Sequence, residues 1–454
     1  MTTTASHPAL PTFENARDLA WQIMRAALRA VDPAQAVRNA LRLDGELLQI
    51  GDTSYDLTRF RRVLVVGAGK ASAPMARAAE ELLGDRIEIG LVNVKYGYSD
   101  HTKRIQLREA GHPLPDKNGL AGTREIVRLM EGAGEDDLVL CLISGGGSAL
   151  MMLPEDPISL ADYQALTQAL LRSGATINQI NTIRKHIERV KGGRLAQVAA
   201  PATIASLILS DVVGNPLDFI ASGPTVADTT TFGDALDVLR QFDLLDTIPD
   251  SVRILLESGA AGSARETPKP GDPIFNRVST VVIGSNDIAA EAAMAEAQHL
   301  GFQTLLLTTY LEGEARDAGK FAAAIAKELV TRGQPLTPPA CVVLGGETTV
   351  TVRGEGMGGR NQEIALSAAL ALNGWERVLV VGLATDGSDG PTDASGGFAD
   401  GQSINRGKAK GLDALAALAA NDSYAYLKPT GDLLVTGPTN TNVNDLLFVF
   451  AFPV

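Results

Sequence analysis

The placement of its glycines constrains the fold of this 454-residue chain more than any other feature of the sequence. There are 46 of them, more than the ~7% of an ordinary globular protein. The surplus is gathered in clusters: Gly67 with Gly69, Gly145 to Gly147, Gly192-Gly193, Gly345-Gly346, Gly354 to Gly359 and Gly387 to Gly397. Three clusters directly follow short β-rich apolar runs, Val63 to Val66, Leu138 to Ile143 and Cys341 to Leu344. Such runs predict buried parallel strands, and a glycine turn at a strand's carboxyl end lets the backbone reverse tightly or approach a ligand. Helical patterns follow at Met75 to Leu83 and Asn361 to Leu372, and further apolar runs at Ile204 to Leu209, Val278 to Ile283, Phe302 to Leu307 and Val378 to Val381 continue the alternation. The expected class is α/β.

A chain of this length implies two or three domains. Helical patterns at Phe232 to Leu245 and Ser251 to Ser258 lead into a loop-like stretch, Gly262 to Pro273, after which strand, helix and strand restart. The boundary is therefore expected between Pro224 and Pro273, with domains taken as 1–228 and 229–454. Charged side chains sum to −13, a field that repels polyanions, so nucleic acid is excluded as a partner class and any anion site must be local. Cys141 and Cys341 lie inside apolar runs and read as buried small hydrophobes in a reducing compartment. Met1 to Phe13 lacks the basic start and apolar core of a signal peptide, and no run approaches the ~18 apolar residues of a membrane span, so a cytoplasmic protein without a membrane partner is expected.

Function should lie at the glycine turns, because ligands of open α/β sheets bind outside the carboxyl ends of strands. Gly67-Ala68-Gly69-Lys70-Ala71-Ser72 has Ser72 at the third glycine position of a dinucleotide fingerprint, and the next strand ends without the acidic residue that would hold a ribose. It is not a P-loop either, since Leu64 stands where the first glycine belongs. What remains is one lysine beside exposed N–H groups at a helix start, suited to phosphate or carboxylate; the plain alternative is a close turn with a solvated lysine. Ser144-Gly145-Gly146-Gly147-Ser148 offers N–H groups, with the two hydroxyls as further donors, and is not a G-x-S-x-G nucleophile elbow. Asn178 to Arg194 predicts an amphipathic helix with Ile180, Ile183, Ile187 and Val190 buried. Its Arg184, Lys185, Arg189, Lys191 and Arg194 either line an anionic cleft or form a solvated face. Asp386, Asp389 and Asp393 on a glycine-rich loop suit a hard cation or a general base, against a loop built by Asx turns. Arg360 opens a helix, where N–H groups and the helix dipole favour an anion.

Taken in order, eight segments resemble a known family: Val66 to Ser72, His112-Pro113-Leu114-Pro115-Asp116, Ser144 to Ala149, Ser210-Asp211 to Pro224-Thr225, Gly345 to Thr349, Gly358 to Glu363, Thr385 to Thr392, and Thr441-Asn442-Val443-Asn444-Asp445. The family is that of the class II glycerate 2-kinases, whose C-terminal half is the MOFRL domain and some of whose members carry the label hydroxypyruvate reductase. Leu344, Ala384 and Asn440 depart from its pattern, standing where a serine, a glycine and a glycine are usual. The resemblance implies a Rossmann-like αβα N-terminal domain and an α/β C-terminal domain with the MOFRL region at about 335–450, the active site lying in the interdomain cleft. It further implies an ATP-dependent, magnesium-requiring kinase that makes 2-phosphoglycerate from D-glycerate. Lys70, Arg360 and Asp386 match the catalytic positions. Gly67, Gly69, Ser144, Gly145, Gly146, Gly147, Ser148 and Glu347 are the expected nucleotide-binding residues, and Asp386 and Asp389 the expected metal ligands. A hydroxypyruvate reductase using NAD(P)H and a non-enzymatic sugar-acid binder are the competing readings, and homo-oligomerisation is left open.

Overall fold

The computed structural model describes residues 11–454, which form two compact units, Pro33–Ile283 and residues 11–32 together with Gly284–Val454. In the first unit, six strands run in the spatial order Ile105–Ala110, Ile87–Lys95, Arg62–Ala68, Asp137–Ile143, Thr203–Leu209 and Val278–Gly284. The pairings from Ile105–Ala110 through Thr203–Leu209 are all parallel. Counted along the chain the order is 3-2-1-4-5-6, that of a doubly wound dinucleotide-type sheet, and it reverses between the first and fourth strands. Those two strands are in register from Arg62 opposite Asp137 to Ala68 opposite Ile143, so the Gly69-Lys70 and Ser144–Ser148 turns leave the sheet side by side at its switch point. A small antiparallel sheet, Leu41–Asp44, Leu47–Ile50 and Thr53–Asp56, belongs to the same unit.

The units meet at residues 283 and 284 rather than at 228 and 229. The intervening helices Phe232–Gln241 and Asp250–Ala260 bury Phe232, Leu236, Leu239, Val252 and Leu256 against Ile180, Ile183 and Ile187 of the helix Ile177–Ile187, and Val278–Gly284 extends the first sheet. Burial of those apolar faces overrides the loop-like composition of Gly262 to Pro273.

The second unit holds a mixed sheet in the order Gln303–Leu311, Ala340–Gly346, Asp445–Ala451, Val378–Ala384, Gly396–Asp400 and Leu433–Leu434. Only the first of these pairings is parallel. The C-terminal strand lies antiparallel between Ala340–Gly346 and Val378–Ala384, so Gly346 and Ala384 both face Asp445 and three chain segments converge on one point of the sheet edge. Helices Ala315–Arg332 and Arg360–Leu372 pack over this sheet, and Gly319 permits the approach, since a Cβ there would lie 3.0 Å from the Ser367 Cβ. The helix Ala16–Ala30 joins this unit by packing on Asn286–His299, with Arg17 reaching Asp400 at 3.1 Å and also Asp432. Among the described residues no helix is long and apolar enough to cross a membrane. Both cysteines are buried and unpaired, and burial pushes the Cys141 thiol up to about 12.

Candidate active site

In the first unit the two glycine turns hold each other. Lys70 N–H donates to the Gly145 carbonyl at 2.9 Å, and Ser144 N–H to the Ala68 carbonyl at 3.2 Å. The Ser144 hydroxyl, fully buried, accepts from Ala71 N–H at 3.0 Å and lies 3.1 Å from the Ser72 hydroxyl. Ser144 is thus a brace between the turns, its hydroxyl engaged within the protein. Each glycine of the triple answers a separate close approach. A Cβ on Gly145 would overlap the Asp211 carboxylate, one on Gly146 would sit 3.0 Å from His112 Cδ2 and 3.3 Å from Lys70 Cγ, and one on Gly147 would come to 2.7 Å from the Ala221 Cβ. Gly146 also has φ +85°, the left-handed region that favours glycine.

Lys70 and Gly146 are part exposed, and His112 stands beside them. Burial, with the charges of Lys70 and Lys95, lowers the His112 pKa to about 4, so its ring is neutral at physiological pH. Behind the turn, buried Lys191 donates through Nζ to the Ser148 carbonyl at 2.8 Å and to Glu188 at 2.5 Å. Most of the basic segment is likewise paired with carboxylates: buried Lys185 with Asp218 and Asp228, Arg194 with Glu155, and Arg189, at the surface, with Glu131. The picture of an anionic cleft lined by the whole segment is therefore too broad. The expected helix over it ends at Ile187, and a second helix begins at Arg194.

In the second unit the convergence at Asp445 builds the other cluster. Arg360, first residue of its helix, donates to Asp445 through Nε and, at 3.1 Å, through Nη2, and to Glu347 through Nη1 at 2.6 Å. Asn444 Nδ2 holds the other Glu347 oxygen at 3.1 Å. These bonds use three of the five guanidinium N–H groups, leaving two for a ligand. Burial opposes the charge of Arg360, but Asp445 and Glu347 outweigh it and hold its pKa above the ordinary value. Burial pushes Asp445 up to about 7 while Arg360 pulls it down. The guanidinium governs, because it stays charged throughout the range in which Asp445 titrates.

Asp386 is part exposed, one carboxylate oxygen accepting Ser388 N–H at 3.0 Å. Asp389 is different, at 2% exposure. Its oxygens accept from Asn361 N–H at 3.1 Å and Gln362 N–H at 2.8 Å, with the Asn361 and Gln362 amides at 3.3 and 3.1 Å. It caps the Arg360–Leu372 helix from across the chain, because Gly359 at the N-cap has no side chain, and a Cβ there would overlap Asp389. The geometry gives no support to the metal role expected of Asp389. Among the familial departures, Leu344 is a core residue of its strand, and Asn440 has φ +60°, a conformation asparagine tolerates where glycine is usual.

Sequence reasoning missed the partnership of Arg360 with Asp445 and Glu347, although both lay within recognised segments. It also missed His112 beside Lys70 and the linked side chains Asn181 and Ser222 at Ser148, where Ser222 Oγ lies 3.0 Å from Ser148 Oγ and 2.9 Å from Asn181 Oδ1.

A doubly wound sheet with a lysine-bearing turn at its switch point, followed by a mixed sheet carrying a carboxylate-anchored arginine at a helix start, defines a class of proteins built to handle small anions. Residues 19–257 match a domain of unknown function, DUF4147, and residues 340–445 match the MOFRL family. The chain is 46% identical to the glycerate 2-kinase of Pyrococcus horikoshii, over 95% of this chain and 96% of that one. It is 42% identical to a putative hydroxypyruvate reductase of Agrobacterium vitis, over 95% and 94%. The crystal structure of a glycerate kinase from Thermotoga maritima superposes with a TM-score of 0.87 at 43% identity, covering 96% of this chain and all of that one. The chain belongs to the class II glycerate 2-kinase (MOFRL) family.

Proposed function

We propose that this protein transfers the γ-phosphoryl group of ATP to the 2-hydroxyl of D-glycerate, giving 2-phosphoglycerate, and does so in the cytoplasm. The observation that carries the reading is Lys70 beside a triple-glycine turn at the switch point of a family otherwise named for glycerate kinases. Lys70 and the N–H groups of Gly145 and Gly146 neutralise phosphate charge, while Gly147 N–H closes the turn on the Ser144 carbonyl at 3.2 Å and Gly67 and Gly69 let the two turns approach. Arg360, its fork fixed by Asp445 and Glu347, offers its remaining N–H groups to charge developing on the transferred group. Asp386 orients or deprotonates the attacking hydroxyl, or holds the metal.

Among the described residues no group of three or more His, Cys, Asp or Glu side chains is arranged to hold a metal ion. Magnesium arriving with ATP keeps waters and phosphate oxygens and asks the protein for one or two carboxylates. Asp386 is the carboxylate that fits; when bound, the ion would neutralise charge on the phosphates. The sheet order is also that of dinucleotide enzymes, which, with the reductase label of the Agrobacterium vitis relative, stands on the side of a reductase. Against it, the second strand ends on Lys95 where those enzymes place an acidic residue. Coupled assays decide. ATP-dependent loss of glycerate is the expected result; NAD(P)H oxidation with hydroxypyruvate, or thermal stabilisation by glycerate without turnover, refutes it.

A further inference from the structure

Of the five cations between Arg184 and Arg194, four have carboxylate partners: Lys185 at 3.2 Å from Asp218, Arg189 at 3.3 Å from Glu131, Lys191 at 2.5 Å from Glu188 and Arg194 at 2.8 Å from Glu155. Arg184 has no ion-pair partner among the described residues, and its Nε is buried without a hydrogen bond. Arg184 lies on the helix Ile177–Ile187 one turn from Asn181, which is joined through Ser222 to Ser148, so a guanidinium without an ion-pair partner stands on the same helix as the side chains that hold the end of the triple-glycine turn.

One helical turn before Arg184 is Asn181, buried, with Ser222 donating to its Oδ1 at 2.9 Å. Ser222 Oγ is also 3.0 Å from Ser148 Oγ. A hydroxyl carries one proton. That of Ser222 goes to Asn181, so that of Ser148 goes to Ser222, and the part-exposed Ser148 oxygen is left able only to accept. The arrangement is held against a backbone preference, since Ala221 and Ser222 have φ +51° and +61°, unusual for residues with a Cβ. An acceptor-only oxygen repels phosphate and carboxylate oxygens and welcomes a neutral hydroxyl.

We propose that Arg184 and Ser148 form the subsite for the organic acid: Arg184 binds its carboxylate, and Ser148 accepts a hydrogen bond from the hydroxyl that is not phosphorylated, the 3-hydroxyl of glycerate. This rests on the kinase reading above and moves the Ser148 side chain from the nucleotide to the acid. The ligand class is a short hydroxy acid with a second hydroxyl beside the reacting one.

The test compares wild type with Ser148→Ala, Ser148→Thr and Arg184→Met, all checked for folding by circular dichroism. Ser148→Ala raises the glycerate KM about three- to tenfold and Arg184→Met about ten- to a hundredfold, with the ATP KM within about twofold. Ser148→Thr, which keeps the acceptor, returns the KM toward wild type. D-lactate, which lacks the 3-hydroxyl, competes with glycerate, and its inhibition constant is unchanged by Ser148→Ala but raised by Arg184→Met. An unchanged glycerate KM, a rise in the ATP KM, a lactate constant that rises with glycerate's in Ser148→Ala, or lactate that fails to compete in large excess overturns the subsite. A wild type that phosphorylates no glycerate instead overturns the kinase reading on which it stands.

Discussion

Replacing Asp389 by alanine separates a helix cap from a metal ligand. The side chain accepts the N–H groups of Asn361 and Gln362, two of the otherwise unpartnered donors at the start of the Arg360–Leu372 helix, and is 2% exposed. Loss of a cap costs ~1 kcal/mol, and each buried donor left without a partner a further ~1–3 kcal/mol. Burial also pushes the Asp389 carboxyl above its usual pKa, so removing it relieves some desolvation. The net expectation is a loss of about 3 kcal/mol. In a unit of this size that lowers Tm by roughly 6–12 °C. Calorimetry and urea unfolding with and without magnesium measure it. The lost stability, and the lost activity that follows from loosening Arg360, should not respond to magnesium. An Asp389→Ala protein of wild-type stability whose activity returns as magnesium is raised would refute the cap and restore the metal role.

Lys70→Ala and Arg360→Ala should each lower kcat by about 10²–10³ with the far-ultraviolet spectrum unchanged, because each removes one donor to developing charge; steady-state kinetics with near-normal turnover in either would dismiss that residue. Asp386→Asn should impair turnover, and a magnesium titration separates its roles: partial recovery at high magnesium marks a metal ligand, none marks a base. His112, held at about 4 by burial with Lys70 and Lys95, should titrate near that pH by NMR, and Lys70→Ala should raise it. Because its folded pKa lies below the ~6.5 of an unfolded histidine, its contribution to stability is whole above that pH and is lost as pH falls through about 4; a titration near 6.5 would show that the ring is neither desolvated nor beside those lysines.

The α/β class and the glycine turns at strand ends were legible because each depends on local pattern: an apolar run of strand length followed by residues without side chains. The positions of Lys70 and Arg360 at helix starts were legible for the same reason. What the local pattern does not carry is register between distant segments. The C-terminal strand slots antiparallel between Ala340–Gly346 and Val378–Ala384, and only that pairing brings Asp445 to Arg360. Likewise the carboxylate of Asp389 read as a cation ligand on its own loop, while its partners lie 27 and 28 residues earlier. The domain boundary slipped because the Phe232–Gln241 and Asp250–Ala260 helices find their apolar partners behind them in the chain, on Ile177–Ile187.

Phosphorus NMR of the product formed from ATP and D-glycerate by the full-length protein tests the central claim most directly, since it reads turnover, donor and position together. The account predicts that the ATP γ-phosphate signal is replaced by ADP and 2-phosphoglycerate. A 3-phosphoglycerate signal would contradict the assigned hydroxyl, and an unchanged ATP spectrum with glycerate intact would contradict the kinase itself.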